Sequence, residues 1–441
     1  MRDFIAVYCN ARFGDAWCVA ADYSLRLHAG TTLLPKQIVI HAPKGKNGVL
    51  ALPNGFSLLD YQARDFPAID RRDSVGVVRT MTLPQALLKA PENFFRASPQ
   101  DAQVALLSLR DTSELGRLLV AGNHGTAAGR LAGAFRAVGK PAMANDLVGL
   151  MRSLGNQITE SNPFNAPLRM IAGDRIESPY VSRIRLMWAA MRDAVVQMFP
   201  AEPGPPLDVD VFMKSVEDVY VTDAYHSLSI EGYRVTPALI QRVAGGDWNE
   251  DMHDTDRQSR DAMAAHGYWL AHNEVAASIR KLLAQGHPGD VIRADHGAWF
   301  RAMFAPSVTA GLLAATDLAG YRAHPVYIRN ADHVPPPREA VREMMPALFE
   351  LLQAEPSAAV RAVLGHFIFV FIHPYMDGNG RLGRFIMNAM LASGGFPWTV
   401  LRLEDREVYM SALNAASGQG DIQPFAALVA RSLQAARPNA T

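Results

Sequence analysis

Twelve consecutive residues, His373-Pro374-Tyr375-Met376-Asp377-Gly378-Asn379-Gly380-Arg381-Leu382-Gly383-Arg384, bring together a base, a carboxylate, a glycine-flanked loop and two arginines. Histidine is the side chain whose neutral form is available near pH 7, so His373 suits removal of a proton from a hydroxyl. Gly378-Asn379-Gly380 can adopt backbone angles closed to most residues, which lets successive amides point inward as an anion-binding nest. A helix expected from about 380 would aim its free N–H groups and positive dipole end at the same anion. Arg381 and Arg384 are three apart, hence on one helix face, and their forks match phosphate oxygens in bidentate fashion. Asp377 supplies hard oxygens beside those phosphates, as a Mg²⁺ ion bridging them would need. Together these groups can hold a nucleotide polyphosphate and deprotonate a hydroxyl next to it. The bland reading is a helix–loop–helix corner with a surface histidine and solvated arginines. The convergence of every group on one anion argues against it.

The elements that must position this stretch are legible on both sides. Val363 to Ile372 reads as an apolar, buried helix, and Pro374 disfavours helical geometry at His373, which leaves the imidazole at a loop edge. Far upstream, Ser227-Leu228-Ser229-Ile230-Glu231-Gly232 closes a predicted amphipathic helix over 208–230 with a stripe of Val209, Phe212, Val216 and Val219. Ser227 and Glu231 are four apart and face one way, and Gly232 is placed as a helix stop. A glutamate in a last helical turn is disfavoured by the helix dipole, which points to a partner elsewhere.

The 373–384 stretch resembles the core signature of the Fic (filamentation induced by cAMP) family, His-Pro-Phe-x-(Asp/Glu)-Gly-Asn-Gly-Arg-x-x-Arg, departing only at Tyr375. The resemblance implies a protein adenylyltransferase that moves AMP from ATP to a Tyr, Ser or Thr hydroxyl of a target protein. It would assign His373 as base and Asp377 to Mg²⁺. Gly378, Asn379 and Gly380 would take the α- and β-phosphates, Arg381 the β-phosphate side and Arg384 the γ-phosphate. The 227–232 stretch resembles the family's inhibitory motif, (Ser/Thr)-x-x-x-Glu-(Gly/Asn), N-terminal to the core as in self-inhibited members. It implies that Glu231 pairs with Arg384 and blocks productive ATP binding. Gly320-Tyr321-Arg322, the β-like stretch 325–329 and Val334-Pro335-Pro336-Pro337 resemble the family's flap, a small β-hairpin on which Val326 or Ile328 would clamp the target. The same site also admits the reverse reaction class, in which Glu231 orients water to remove AMP. A third reading is an interaction protein, toxin–antitoxin-like, that binds nucleotide without transfer.

Over the whole chain the expected class is mainly α: a Fic-type helical core over 207–436, with the inhibitory helix at 208–231, preceded by a mixed α/β module (1–110) and a helical region (111–200). The 441 residues are too many for one typical core, and 49% hydrophobic with 20% charged residues argues against disorder. In the first module, 36–41 and 75–80 read as strands and 84–90 as a short helix. Proline density over 200–206 predicts an extended linker. Trp17-Cys18-Val19-Ala20-Ala21, Leu34-Pro35-Lys36-Gln37 and Gly55-Phe56-Ser57-Leu58-Leu59 resemble the non-catalytic region of AbiEi-type antitoxins, which precedes Fic cores in some bacterial proteins. A regulatory or partner-binding module is implied. A net charge of +0 and the lack of a basic stripe speak against DNA or an anionic membrane as partner and leave a homo-oligomer open. Two cysteines, Cys9 and Cys18, and the lack of a signal or membrane-length apolar run favour a reducing cytoplasm. His366, His253-Asp254-Thr255-Asp256 and Gly122-Asn123-His124-Gly125 imitate sites but read as a core histidine, a capped helix start and a plain loop.

Overall fold

The structure, a computed structural model, describes residues 1–168, 177–246, 260–328 and 331–436. The chain divides into two compact units, Met1–Leu186 and Met187–Thr441. Among the described residues no helix is long and apolar enough to cross a membrane.

The first unit joins a small sheet to a set of short helices. Strand Gln37–Ala42 pairs parallel with Ser57–Gln62 and antiparallel with Cys18–Val19, and Gly48–Ala51 closes the far edge. Its alternation buries Ile38, Ile40 and Ala42 on one face, as a half-buried strand requires. The stretch expected as one strand over 75–80 is a hairpin instead. Arg72–Val75 pairs with Val78–Met81, and the chain reverses at Gly76, whose φ of +60° glycine tolerates. One apolar cluster runs from Cys18, Ala21 and Leu25 through Phe95 and Leu115 to Phe135 and Leu186. That core draws on residues from both sides of position 110.

The second unit is helical. Its centre is Ala358–Ile372, buried along nearly its whole length and packed against Asn379–Ser393. A helix apolar all round has to lie inside other helices. Here Arg260–Leu283, Pro288–Thr309, Arg338–Ala354, Arg406–Gln419 and Gln423–Ala436 complete the same unit. The expected helix over 208–230 is two, Val209–Asp218 and Tyr220–Ile230, interrupted at Val219. The predicted stripe shifts accordingly. Val209 is exposed, while Met213 and Val216 carry the burial of the first segment. The proline-rich stretch at 200–206 is tied down. Glu202 Oε1 accepts from the backbone N–H of Ala358 (2.6 Å), a carboxylate at a helix N-terminus, and Gly204 N–H donates to Gly394 O (3.1 Å).

Residues 321–328 and 331–337 hold no paired strand segment among the described residues beyond an isolated bridge at His333. Arg329 and Asn330, expected to end the flap strand and open its turn, lie outside the described residues, as does the His253–Asp256 cluster.

Candidate active site

The loop between Ile372 and Asn379 is built from internal ties. His373 caps the preceding helix in the left-handed region (φ 53, ψ 61), and its N–H still reaches Phe369 O (3.0 Å). Gly378 (φ +81) opens the next helix, and a Cβ there would press on Phe304. The Asn379 side chain spans the loop: Oδ1 accepts from Tyr375 N–H (3.0 Å), and Nδ2 donates to Tyr375 O (2.8 Å). That side chain is therefore occupied, and what Asn379 can offer an anion is its backbone amide at the helix start. Tyr375, the one departure from the family pattern, is buried and stacks on Phe300 with centroids 3.8 Å apart.

His373 Nδ1 lies 3.3 Å from the carbonyl of Val370. A carbonyl accepts only, so Nδ1 carries the proton and Nε2 keeps its lone pair. Burial is the main cause that lowers the imidazole pKa to about 4; Arg322 lowers it further, and the Val370 carbonyl, Glu231 and Asp377 oppose the shift. At neutral pH the ring is thus an unprotonated acceptor. His366 is a buried core histidine bonded to Tyr409 Oη (2.9 Å), as its apolar setting suggested.

The two arginines differ. Arg381 is buried between the rings of Tyr233 and Phe304, 5.2 Å from each centroid, with Asp377 Oδ2 at 3.5 Å. Arg384 is 2% exposed. Its Nε donates to Ser227 Oγ (2.9 Å), and its Nη2 donates to Ser227 O (3.0 Å) and to Glu231 Oε1 (2.8 Å). Its Nη1 is buried with no hydrogen-bond partner, close to Gly380. Glu231 presses on the same glycine: a Cβ at 380 would overlap its carboxylate oxygen. Glycine at this position is what lets the carboxylate reach the helix start.

Glu231, His373 and Gly380 border one cavity of about 320 Å³. Phe367, Val370, Phe371, Met410 and Leu413 form its apolar wall, and Ile328 closes another side. Asp377 is outside the cavity lining, with its carboxylate 63% exposed and Oδ1 accepting from Gly378 N–H (2.6 Å). Among the expected flap contacts, Ile328 lines the cavity and Val326 is half-buried outside its lining. Helix 406–419 supplies part of the wall, and its Arg406 borders the cavity and donates from Nε to Ile230 O (2.8 Å). Neither has spacing that links it to the 373–384 stretch.

Residues 269–391 match the Fic/DOC family. Over those residues the chain is similar to the Fic/DOC family. The match takes in His373, Asp377 and both arginines and leaves Glu231 outside it. The protein adenylyltransferase Fic of Nematostella vectensis is 29% identical over 222 residues, 49% of this chain and 48% of that protein. That of Drosophila virilis is 27% identical over 221 residues, 49% of this chain and 42% of the relative. The Fic-bearing chain thus spans about half the length of the curated relatives it matches. Among solved structures, Fic-1 from C. elegans aligns over 80% of this chain and 88% of its own, at 18% identity and a TM-score of 0.39. A Fic domain containing signaling protein from Bacteroides thetaiotaomicron aligns over 57% and 95%, at 16% identity and a TM-score of 0.37.

Proposed function

We propose that this Fic domain transfers AMP from ATP to a hydroxyl side chain of a target protein, and that Glu231 holds the site shut. The observation that carries the reading is the shared cavity: the unprotonated His373, the helix start at Gly380 and the Glu231 carboxylate all border it, with Glu231 bonded to Arg384.

The phosphates of ATP bind where the Glu231 carboxylate lies. The N–H groups at the start of helix 379–393 and the unpartnered Nη1 of Arg384 are donors waiting for oxygen, and a buried donor left unmade is costly. Glu231 accepts from the same guanidinium, so carboxylate and γ-phosphate compete for it. Arg381, fixed between two rings, presents positive charge to the β-phosphate side. The apolar wall of Phe367, Val370, Met410 and Leu413 takes the flat base. Nε2 of His373 then accepts the proton of the target hydroxyl. The hydroxyl oxygen bonds to the α-phosphorus as the bond to the bridging oxygen breaks, and pyrophosphate leaves. Among the described residues no three His, Cys, Asp or Glu converge on a metal site. Mg²⁺ commonly takes one or two carboxylates with phosphates and water, so the exposed Asp377 fits that need, and the ion would neutralise charge on the leaving phosphates.

The target would dock along residues 321–337, with Ile328 at the cavity edge. A second reading rests on the same carboxylate: Glu231 faces the cavity beside His373 and is suited to orient water toward an AMP-modified side chain. Labelled ATP, cell lysate and the Glu231→Gly protein test the first reading. Labelled target proteins are expected, and ATP binding without label would leave a nucleotide-binding interaction protein instead. Loss of AMP from a premodified target with wild-type protein, and not with Glu231→Gly, would favour the second.

A further inference from the structure

His373 stands on strained ground. It is a non-glycine residue in the left-handed region, at the end of a helix whose last carbonyls have no partner within the helix. One segment satisfies two of the carbonyls at this end and the next one in the loop. Nε of Arg322 donates to His373 O (2.8 Å), and the backbone N–H of Arg322 donates to Pro374 O (2.8 Å). Nε2 of His333 donates to Phe371 O (2.8 Å), with the two rings stacked at 4.2 Å. The remaining arms of Arg322 turn back on their own segment, Nη1 to His324 O (3.2 Å) and Nη2 to Pro336 O. Arg322 is 6% exposed, so a buried guanidinium is spent on a ring of carbonyls. Its planar fork suits that ring, and a lysine ammonium, with three donors on one atom, cannot reach all of it.

We propose that Arg322 is a positioning residue: it fixes His373 in the left-handed conformation that aims the imidazole, and it couples that aim to the segment on which the target docks. The inference rests on the reading of His373 as the base. The guanidinium grips both ends of the 322–336 segment, at His324 and at Pro336, and the carbonyl of the base itself. A target polypeptide laid along this segment therefore bears on His373 through one rigid group. A segment fastened only to the helix body would leave the base indifferent to what docks there.

The test compares Arg322→Gln, Arg322→Lys and His373→Ala, each in the Glu231→Gly protein. Readouts are kcat and KM for AMP transfer, ATP affinity by calorimetry, thermal midpoint, and the imidazole Cε1–H resonance of residue 373. Arg322→Gln is expected to lower kcat about 30-fold with ATP affinity within twofold of the parent, and to move the His373 resonance. Arg322→Lys, which keeps the charge and some of the carbonyl contacts, is expected to recover part of kcat and to keep the fold if the glutamine variant loses it. Parent-level kcat in Arg322→Gln, alongside a silent His373→Ala, would overturn the inference. So would a fall in kcat and ATP affinity together that simply follows the fraction of folded protein in both Arg322 variants. Full transfer by His373→Ala would remove the base reading instead. The positional claim then stands or falls on the His373 resonance, and an unmoved resonance in Arg322→Gln overturns it.

Discussion

The 373–384 loop and the 220–231 helix meet at one cavity, and they are held in opposite ways. The loop is locked from inside by Asn379, from below by the Phe300–Tyr375 stack and from the side by Arg322. The tip of the helix is held from outside: Ser227 and the 29% exposed Glu231 side chain both accept from Arg384, Ile230 O accepts from Arg406, and His226 accepts from Leu403 N–H. A site whose donors are fixed and whose acid is partly solvated can lose the acid without losing its shape. That asymmetry is what a removable plug needs, because the anion that replaces Glu231 finds its donors already in place.

The comparison breaks most sharply at the base. In the Glu231→Gly protein, His373→Ala is expected to cut AMP transfer about 10³-fold, the usual scale for a positioned general base. Retained transfer would mean that the loop binds and does not catalyse. The pH profile carries the same claim. The folded pKa of His373 is depressed to about 4, so its neutral form persists as pH falls from 7 through 6.5, where an ordinary imidazole protonates. Glu231 raises that pKa, so its removal deepens the depression. The acidic limb of kcat/KM in Glu231→Gly, which reports the free enzyme, is expected at or below about pH 4. A limb at 6.5 would place the imidazole in water. Protonation is disfavoured in the folded state, so the stability this group contributes is present above about pH 6.5 and declines as pH drops toward 4.

Next in size is the plug. An exposed ion pair contributes under about 1 kcal/mol, and breaking a buried one costs ~3–5 kcal/mol. Glu231 on a buried Arg384 falls between, so Glu231→Gly is expected to raise transfer and self-modification about 30-fold, or ~2 kcal/mol. Equal rates in wild type and variant, measured with labelled ATP, would make Glu231 a bystander. The rigid side of the comparison is read from stability instead. Asn379→Ala leaves the Tyr375 N–H and carbonyl without their buried partners, and a loss of about 2 kcal/mol in denaturant unfolding is expected. Unchanged stability would show that the loop does not depend on that clamp.

The candidate site was more legible than the scaffold because its residues are written locally. His373, Gly378, Gly380 and Arg384 sit on one helix–loop–helix stretch, and spacing within twelve residues fixes which groups can converge. Glu231 was reachable only through its own short pattern, 153 positions from Arg384. Asn379 shows the limit of pattern reading: its type and place suggested phosphate contact, and its side chain closes the loop on Tyr375. The helix expected to run to Ile372 ends there, and the one expected from about 380 starts at Asn379, because Pro374 and the glycine-flanked loop mark both boundaries. The hairpin at 72–81 was missed because Gly76 looked like a residue inside a β run rather than a turn. Arg406 left no signal, and Arg322 was visible only as part of the flap-like stretch 320–322, since each bonds backbone carbonyls that any sequence would supply.

The smallest expected effect probes how the plug is hung. His226 Nδ1 accepts from Leu403 N–H (3.1 Å), which ties helix 220–230 to the segment ahead of helix 406–419, at a point outside the cavity lining. One such bond is worth about 1 kcal/mol. His226→Ala should therefore raise wild-type transfer by roughly fivefold and leave the Glu231→Gly rate unchanged, because a plug already removed cannot be loosened. Protonating Nδ1 abolishes the same acceptor. Burial lowers the His226 pKa, Glu404 at 3.9 Å opposes that shift and Arg402 reinforces it, so the bond persists through neutral pH and is lost only below the ordinary 6.5. Wild-type transfer, relative to Glu231→Gly at each pH, should then climb on the acid side and stay level in His226→Ala. An equal gain in both backgrounds would show that His226 acts on the site itself and not through the hold on Glu231.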